Sequence, residues 1–558
     1  MKKQWILIAL FLGAVHIYAQ TKEDNIKKED VVVEFSFNPT LTDVFKLKTV
    51  PNGQEEFAKQ KIEYTINPKQ VPSDFVPITK QAAYVNIDDP KPKNYRSYLY
   101  GALGLYGNGE IEVMLRPNAV NGYTYGIDFS SYNSQNGIDN ERVDNGQWKS
   151  NIDLFLAKNN KKYNWKTEAN FERNRIHWYG LDAGIPEVDY QNQDVEQVYN
   201  SLTFSGIIDY KNAKVKSLSP SINFFSDGFE SSEIDLNVAA VLNKSMFKDY
   251  IEATVNFEYL NGSFGQTYLD NTNINYSFFN LGVTPSYNYQ ADNFQLNVAL
   301  GLFVNSNTEA STSKFWILPS IQADVNLIKD IMILHGGIRS NLDQNSYESL
   351  ASKNPFIAPS AVIKTTATPV DVFVGLDGKL TKTISYSTEA SYKQVKNKAL
   401  FVHYNSEDTV TQPFQLGNSF AVIYDDVSVF SLKGAIEMMF SKQLTGGVLA
   451  TVNSYSPDVQ AEAWNLPNMT IETYANYTHN KWFGQVGVNI IDGRDDLVEG
   501  QPTKLDGFLD LNVKGGYKIN KRLNAHVNIY NLLDNNYQSY TNYQVQGFQL
   551  VAGLSFKF

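Results

Sequence analysis

The sequence predicts an all-β chain that closes as a transmembrane antiparallel β-barrel of about 22 strands, with 16–20 as the alternative count. A short N-terminal periplasmic or lumenal segment precedes the barrel in this reading. Three observations lead there. Long segments alternate strictly between apolar and polar residues; aromatics are abundant in a chain of low hydropathy; and the final alternating segment runs to the last residue.

Composition narrows the class first. The 558 residues are 13% aromatic, with 34 Tyr and 33 Phe, and only 19% charged, which suits strands and membrane interfaces. A mean hydropathy of -0.33 excludes a bundle of spanning helices. If the chain crosses a membrane, it crosses as strands. The net charge of -11 argues against nucleic-acid binding.

The opening "MKKQWILIALFLGAVHIYAQ" has two lysines, an apolar stretch from Trp5 to about Val15 and a small residue, Ala19, before Gln20. That is the layout of a secretory signal peptide over residues 1–19. Residues 20–94 follow as the N-terminal periplasmic or lumenal segment. Their prolines recur every few residues in "PNGQEEFAKQKIEYTINPKQVPSDFVPITK", so they cannot supply a row of spanning strands.

Residues 95–558 read as the barrel. In "FLDLNVKGGYKIN", Leu509, Leu511, Val513 and Tyr517 share one face and Asp510, Asn512, Lys514 and Lys518 the other. "RLNAHVNIYN" repeats the pattern after a polar turn at Asn520 and Lys521, which makes a hairpin. "YIEATVNFEYL", "FQLNVALGLFVN" and "MTIETYANYTH" alternate likewise. Segments of about 9–12 residues match a tilted membrane strand, whereas soluble strands average about 5–6. Aromatics bracketing them, such as Tyr199, Tyr210, Phe315 and Trp316, are expected at headgroup level. Charges on the polar face are expected to meet water in the lumen.

The chain ends on Leu550, Ala552, Leu554, Phe556 and Phe558 at every second position. This strand must pair with an early one, since an open edge cannot face lipid. Just before it stands "NLLDNNY", with Asn531, Leu532, Leu533, Asp534 and Tyr537. Together with "NYRSYLYGALGLYGN" and "YTYGIDFSSYN" upstream, this end resembles TonB-dependent receptor barrels, in a plug-less branch found in Bacteroidetes-type bacteria. The resemblance implies an outer-membrane location, outer-membrane lipid around the barrel, and an aromatic C-terminus read by the barrel assembly machinery. Residues 20–94 are too few to be the plug domain of a full receptor. Val31, Val32 and Val33 beside acidic residues resemble a TonB box, through which TonB would add a strand. An ordinary extended segment would look the same.

Catalytic chemistry has little to stand on. The six histidines show no metal-ligand spacing, and there is no cysteine. His526 falls on the lumenal face without a serine or acid partner at an evident spacing. "DGRDDLVEG" gathers Asp492, Asp495, Asp496 and Glu499 but lacks the order of a calcium loop, so a charged extracellular loop is the better reading. No enzyme activity and no cofactor are expected. The function expected is uptake or diffusion of solutes, with residues 31–92 in or under the lumen. The alternative is a structural or accessory barrel that docks a partner protein through loops such as residues 130–148 and transports nothing.

Overall fold

The computed structural model describes residues 96–558 except 139–140, 212, 247–248, 269–273, 329–330 and 408–409. The expected signal peptide, the 20–94 segment and Val31–Val33 lie outside the described residues.

Twenty-two antiparallel strands form one closed sheet, in which each strand pairs with its neighbours in the chain. Closure comes from the first strand, Tyr98–Gly104, pairing with the last, Gln549–Lys557, in the register Tyr98 to Lys557 through Gly104 to Val551. Beyond the strands, Phe558 N donates to Ser97 O at 3.0 Å and Ser97 N to Phe558 O at 3.1 Å. Phe558 and Ser97 thus extend the closing ladder beyond the strands. On this strand Leu550, Leu554, Phe556 and Phe558 face outward and Val551 and Ser555 inward, as the period of two requires.

An even strand number puts the start of the first strand and the end of the last at one end, and that end carries the tight turns. His479 pairs with Trp482 across Asn480 and Lys481, with Asn480 in the left-handed region at φ 53 that such a two-residue turn demands. At the expected turn after Phe508–Lys518, Asn520 Oδ1 accepts from Arg522 N at 2.8 Å and Leu523 N at 2.9 Å. Aromatic pairs ring this end: Tyr163 with Tyr210 at 6.2 Å between ring centres, Tyr289 with Phe294 at 6.4 Å, Trp482 with Tyr517 at 4.8 Å. In outer-membrane barrels the short turns lie on the periplasmic side, inside such a girdle. All the long connections, including 178–195, 345–364, 404–419 and 531–548, leave from the opposite end.

Two expectations need correction. Strand length is not uniform at about 9–12 residues: the fifteenth and sixteenth strands, Ile384–His403 and Phe420–Met439, have 20 residues each, whereas the first two have 7. The tall strands extend further at the loop end, where they carry the connection 404–419. Secondly, Tyr199 and Trp316 are not interface residues. Both point inward and are buried, while Phe315 beside Trp316 faces out. Tyr199 belongs to a core at the loop end, and Trp316 packs with Leu318 and Ala367 on the inner wall.

Candidate functional site

The inner wall changes character along the barrel. Over much of its height it is polar, as in the pair where Arg339 Nε and Nη1 donate to Asp371 and Glu389, both at 3.1 Å. Asn280 and Thr365 are joined through Asn305, which donates to both, at 2.5 Å and 2.9 Å. Towards the loop end the inward positions turn aromatic: Tyr199, Phe225, Leu260, Phe264, Tyr276 and Phe278 are all buried. Side chains on these positions need apolar partners, and the loops supply them.

The loops fold into the mouth and meet one another. Trp178, just beyond the fifth strand Tyr163–His177, is fully buried; its ring stacks on Phe229 at 5.4 Å and meets Phe414 edge-on at 6.1 Å. Phe414 precedes the sixteenth strand, which stands halfway round a ring of 22. Polar bonds make the same crossing. Asn418 Nδ2 donates to Trp178 O at 2.8 Å, Trp178 Nε1 to Pro355 O at 3.1 Å, and Tyr543 Oη to Asn418 O at 2.5 Å. Four loops are thus joined over the lumen into one cap with a shared aromatic core.

A seven-residue helix, Tyr347–Lys353, is the cap's anchor to the wall. So short a helix is not stable alone. Ser346 and Ser349 cap it reciprocally at 3.0 Å each way. Glu233, buried on the wall, accepts from Tyr347 N at 2.6 Å, Glu348 N at 3.2 Å and Tyr276 Oη at 2.7 Å. A carboxylate therefore sits at the positive end of the helix and satisfies its free amide groups. Tyr347 is wholly buried, its ring edge-on to Phe264 at 4.7 Å and its hydroxyl donating to Asp227 at 2.8 Å.

Burial raises four cap carboxyls above their usual range: Glu141, to about 7 against the opposing pull of Arg142, and also Asp182, Glu348 and Asp496. A carboxyl raised on folding stabilises the folded form most when protonated. Its contribution is complete below the free carboxylate range and is lost as pH rises through the raised value, about 7 for Glu141. The cap should consequently be tighter at about pH 5 than at about pH 8. Hydrogen-exchange protection factors for residues 178–195, corrected for intrinsic rates, should fall across that range; a flat or rising profile would contradict it.

The residues singled out in the sequence fall in three places. Asn531 and Asp534, both at positive φ (45 and 53), form the turn that leaves the strand Leu523–Tyr530 at the loop end. Asn531 Nδ2 donates to Asn535 O at 2.9 Å and Gln546 O at 3.0 Å, while Asp534 Oδ1 accepts from Phe548 N at 2.7 Å. Leu532 and Leu533 face outward, and Tyr537 stacks on Phe508 at 3.7 Å. Leu550, Ala552, Leu554, Phe556 and Phe558 lie on the outer face of the closing strand. His526 faces the lumen as expected, and Ser555 stands 2.7 Å from its Nε2, a partner that only the strand register brings near. Among the described residues no carboxylate orients the imidazole in the manner of a triad. Among the described residues no group of three His, Cys, Asp or Glu could hold a metal. In "DGRDDLVEG", Arg494–Val498 pairs with Gln501–Leu505 as a hairpin, and Asp496 is buried, accepting from Thr541 Oγ1 at 2.5 Å.

Sequence reasoning missed the cap. The segment 130–148, which the alternative reading offered for docking a partner, contributes to it: Arg142 Nη2 donates to Leu181 O at 2.8 Å and Asp182 O at 2.6 Å. The missing signal was there to find. "ALFV" and "FAVIY", residues 399–402 and 420–424, are unbroken apolar runs at the loop ends of strands, where Leu400, Phe401, Val402, Phe420 and Val422 are all buried.

The fold is a closed antiparallel β-barrel of 22 strands. No protein-family profile and no curated protein sequence matches the chain. Among solved structures it is similar to the FrpB iron transporter from Neisseria meningitidis, with a TM-score of 0.64 and 9% identity over 84% of this chain and 82% of that one. The copper transporter OprC gives 0.61 and 12% over 83% and 80%. The ferric enterobactin receptor PfeA of Pseudomonas aeruginosa gives 0.59 and 12% over the same shares. At such identities the likeness is one of fold.

Proposed function

We propose that this chain is an outer-membrane barrel for uptake or diffusion of solutes, whose extracellular mouth is held shut by its own loops. The observation that carries the reading is the crossing of the mouth by Asn418, Trp178 and Phe414, which join wall positions half a circumference apart. A barrel this wide leaks unless something fills it. Residues 1–19 act as the export signal in this reading, and residues 20–94 are a lumenal or periplasmic segment rather than a plug domain. The neighbours named iron and copper transporters support transport as the general class. Val31, Val32 and Val33 would offer TonB an extended strand, and the outward row from Leu550 to Phe558 would serve barrel assembly and then meet lipid.

Single-channel conductance in planar bilayers tests this. The full chain should conduct little, and a chain lacking residues 20–92 with a loosened cap should show discrete openings. Silence from every form, with folded protein confirmed by heat-modifiable migration, would favour the accessory barrel that docks a partner.

A further inference from the structure

Resting on that reading, the lumen carries a chamber that defines a ligand class. A cavity of about 680 Å³ lies at the loop end, between the inner faces of the strands flanking the seam and the underside of loops 345–364 and 531–548. Five tyrosines line it: Tyr132, Tyr179, Tyr530, Tyr537 and Tyr540. Glu110 and Asp510 are its carboxyl groups and buried His177 also lines it, while no lysine or arginine does among the described residues.

The polar groups are set as acceptors. Glu110 takes hydroxyl protons from Tyr100 at 2.8 Å and Tyr530 at 3.1 Å, which fixes the carboxylate on the wall. Asp510 Oδ2 accepts from Asn512 Nδ2 at 2.7 Å. Asn145 and Gln546 line the chamber, are 8% exposed each, and keep carboxamide oxygens without a donor. The Gln546 amide cannot simply turn round, since its nitrogen donates to Ser134 Oγ at 2.5 Å and Asn136 O at 2.9 Å. The two carboxylates favour an occupant that brings donors and positive charge, and the tyrosine faces can take a cation. Lys514 shows this within the chain, its ammonium 5.5 Å from the Tyr530 ring centre. Anions would meet two carboxylates, with no lysine or arginine among the described lining residues. A bare metal ion has no triad of ligands among the described residues.

A second cavity of about 500 Å³ shares Glu110 and Tyr530 with the first. It adds Tyr98, Tyr100 and Glu112, with Lys514 and His526 as its basic groups.

We infer that this chamber binds small organic solutes bearing an ammonium group, the ammonium held by Glu110 and Asp510 and the carbon frame by the tyrosine rings. Calorimetry on the detergent-solubilised full chain tests it, with cadaverine as probe and N,N′-diacetylcadaverine, maltotriose and citrate beside it. Cadaverine should bind about tenfold or more tighter than its diacetyl form, and citrate should not bind. E110Q with D510N should weaken cadaverine about tenfold or more; D510N alone, which disturbs only the bond to Asn512, should weaken it in the same direction. Migration on a gel confirms that each variant is folded. Cadaverine that fails to bind, or binds the variants unchanged, overturns the inference; so does tighter binding of maltotriose that the variants do not alter. Conductance in potassium chloride involves no amine, so conduction without cadaverine binding overturns the ligand class alone. Cadaverine binding without conduction overturns the pore and leaves the site.

Discussion

Trp178→Ala should open the mouth of the barrel. The indole is wholly buried, stacks on Phe229, meets Phe414 edge-on and donates to Pro355 O. Removing it leaves a hole at the point where loops from opposite sides touch. Large aromatic-to-alanine changes in cores cost about 3–5 kcal/mol. Here the cost falls on docking of the loops, because none of the barrel's own ladder bonds involves this side chain. In the chain lacking residues 20–92, the 22-strand wall should stay folded and heat-modifiable while this change raises conductance from near silence to frequent openings. Trp178→Phe keeps most of the ring and loses the bond to Pro355, so its effect should be well under half as large. An alanine variant as silent as the parent would mean that the cap does not control passage.

Glu233→Leu should release the helix Tyr347–Lys353 from the wall. The leucine fills similar volume but leaves Tyr347 N, Glu348 N and Tyr276 Oη without their acceptor. Each buried donor left unsatisfied costs about 1–3 kcal/mol, so a loss of about 3–5 kcal/mol in helix docking is expected. Trypsin should then cut after Lys353 much faster than in the parent. Glu233→Gln retains one carbonyl oxygen for the helix end and should fall between the two. Equal cutting in parent and leucine variant would show that the aromatic contacts of Tyr347 hold the helix unaided.

The barrel was legible because its constraint is periodic. A strand with lipid on one side and water on the other must alternate, so Leu509 to Tyr517 and Ile251 to Tyr259 could be placed on faces from sequence alone. Strand number followed from counting such segments, and closure from the aromatic end at Phe558. The cap was not legible in the same way. Its residues come from loops separated by hundreds of positions, as Trp178 and Asn418 are, and no local pattern encodes who meets whom. Tyr199 and Trp316 were misplaced for a related reason: an aromatic at a strand end satisfies either a headgroup or a core, and only the direction of its Cβ decides. His526 and Ser555 show the same limit, being neighbours through register and not through spacing.

The first strand has a mechanical consequence. It is held by seven residue pairs to the last strand and six to the second, whereas eighteen pairs join the fifteenth and sixteenth. Gly553 lies against Ala102 so closely that a Cβ there would stand 2.4 Å from the alanine's own, so the seam has no room for bulkier stitching. Under load the cylinder would part among its short ladders, this seam included, before it parts at the tall strands. A pull on the chain ahead of Tyr98 is applied directly to a strand held by short ladders on both sides. Peeling should begin there at low force and then stiffen as the longer strands take the strain.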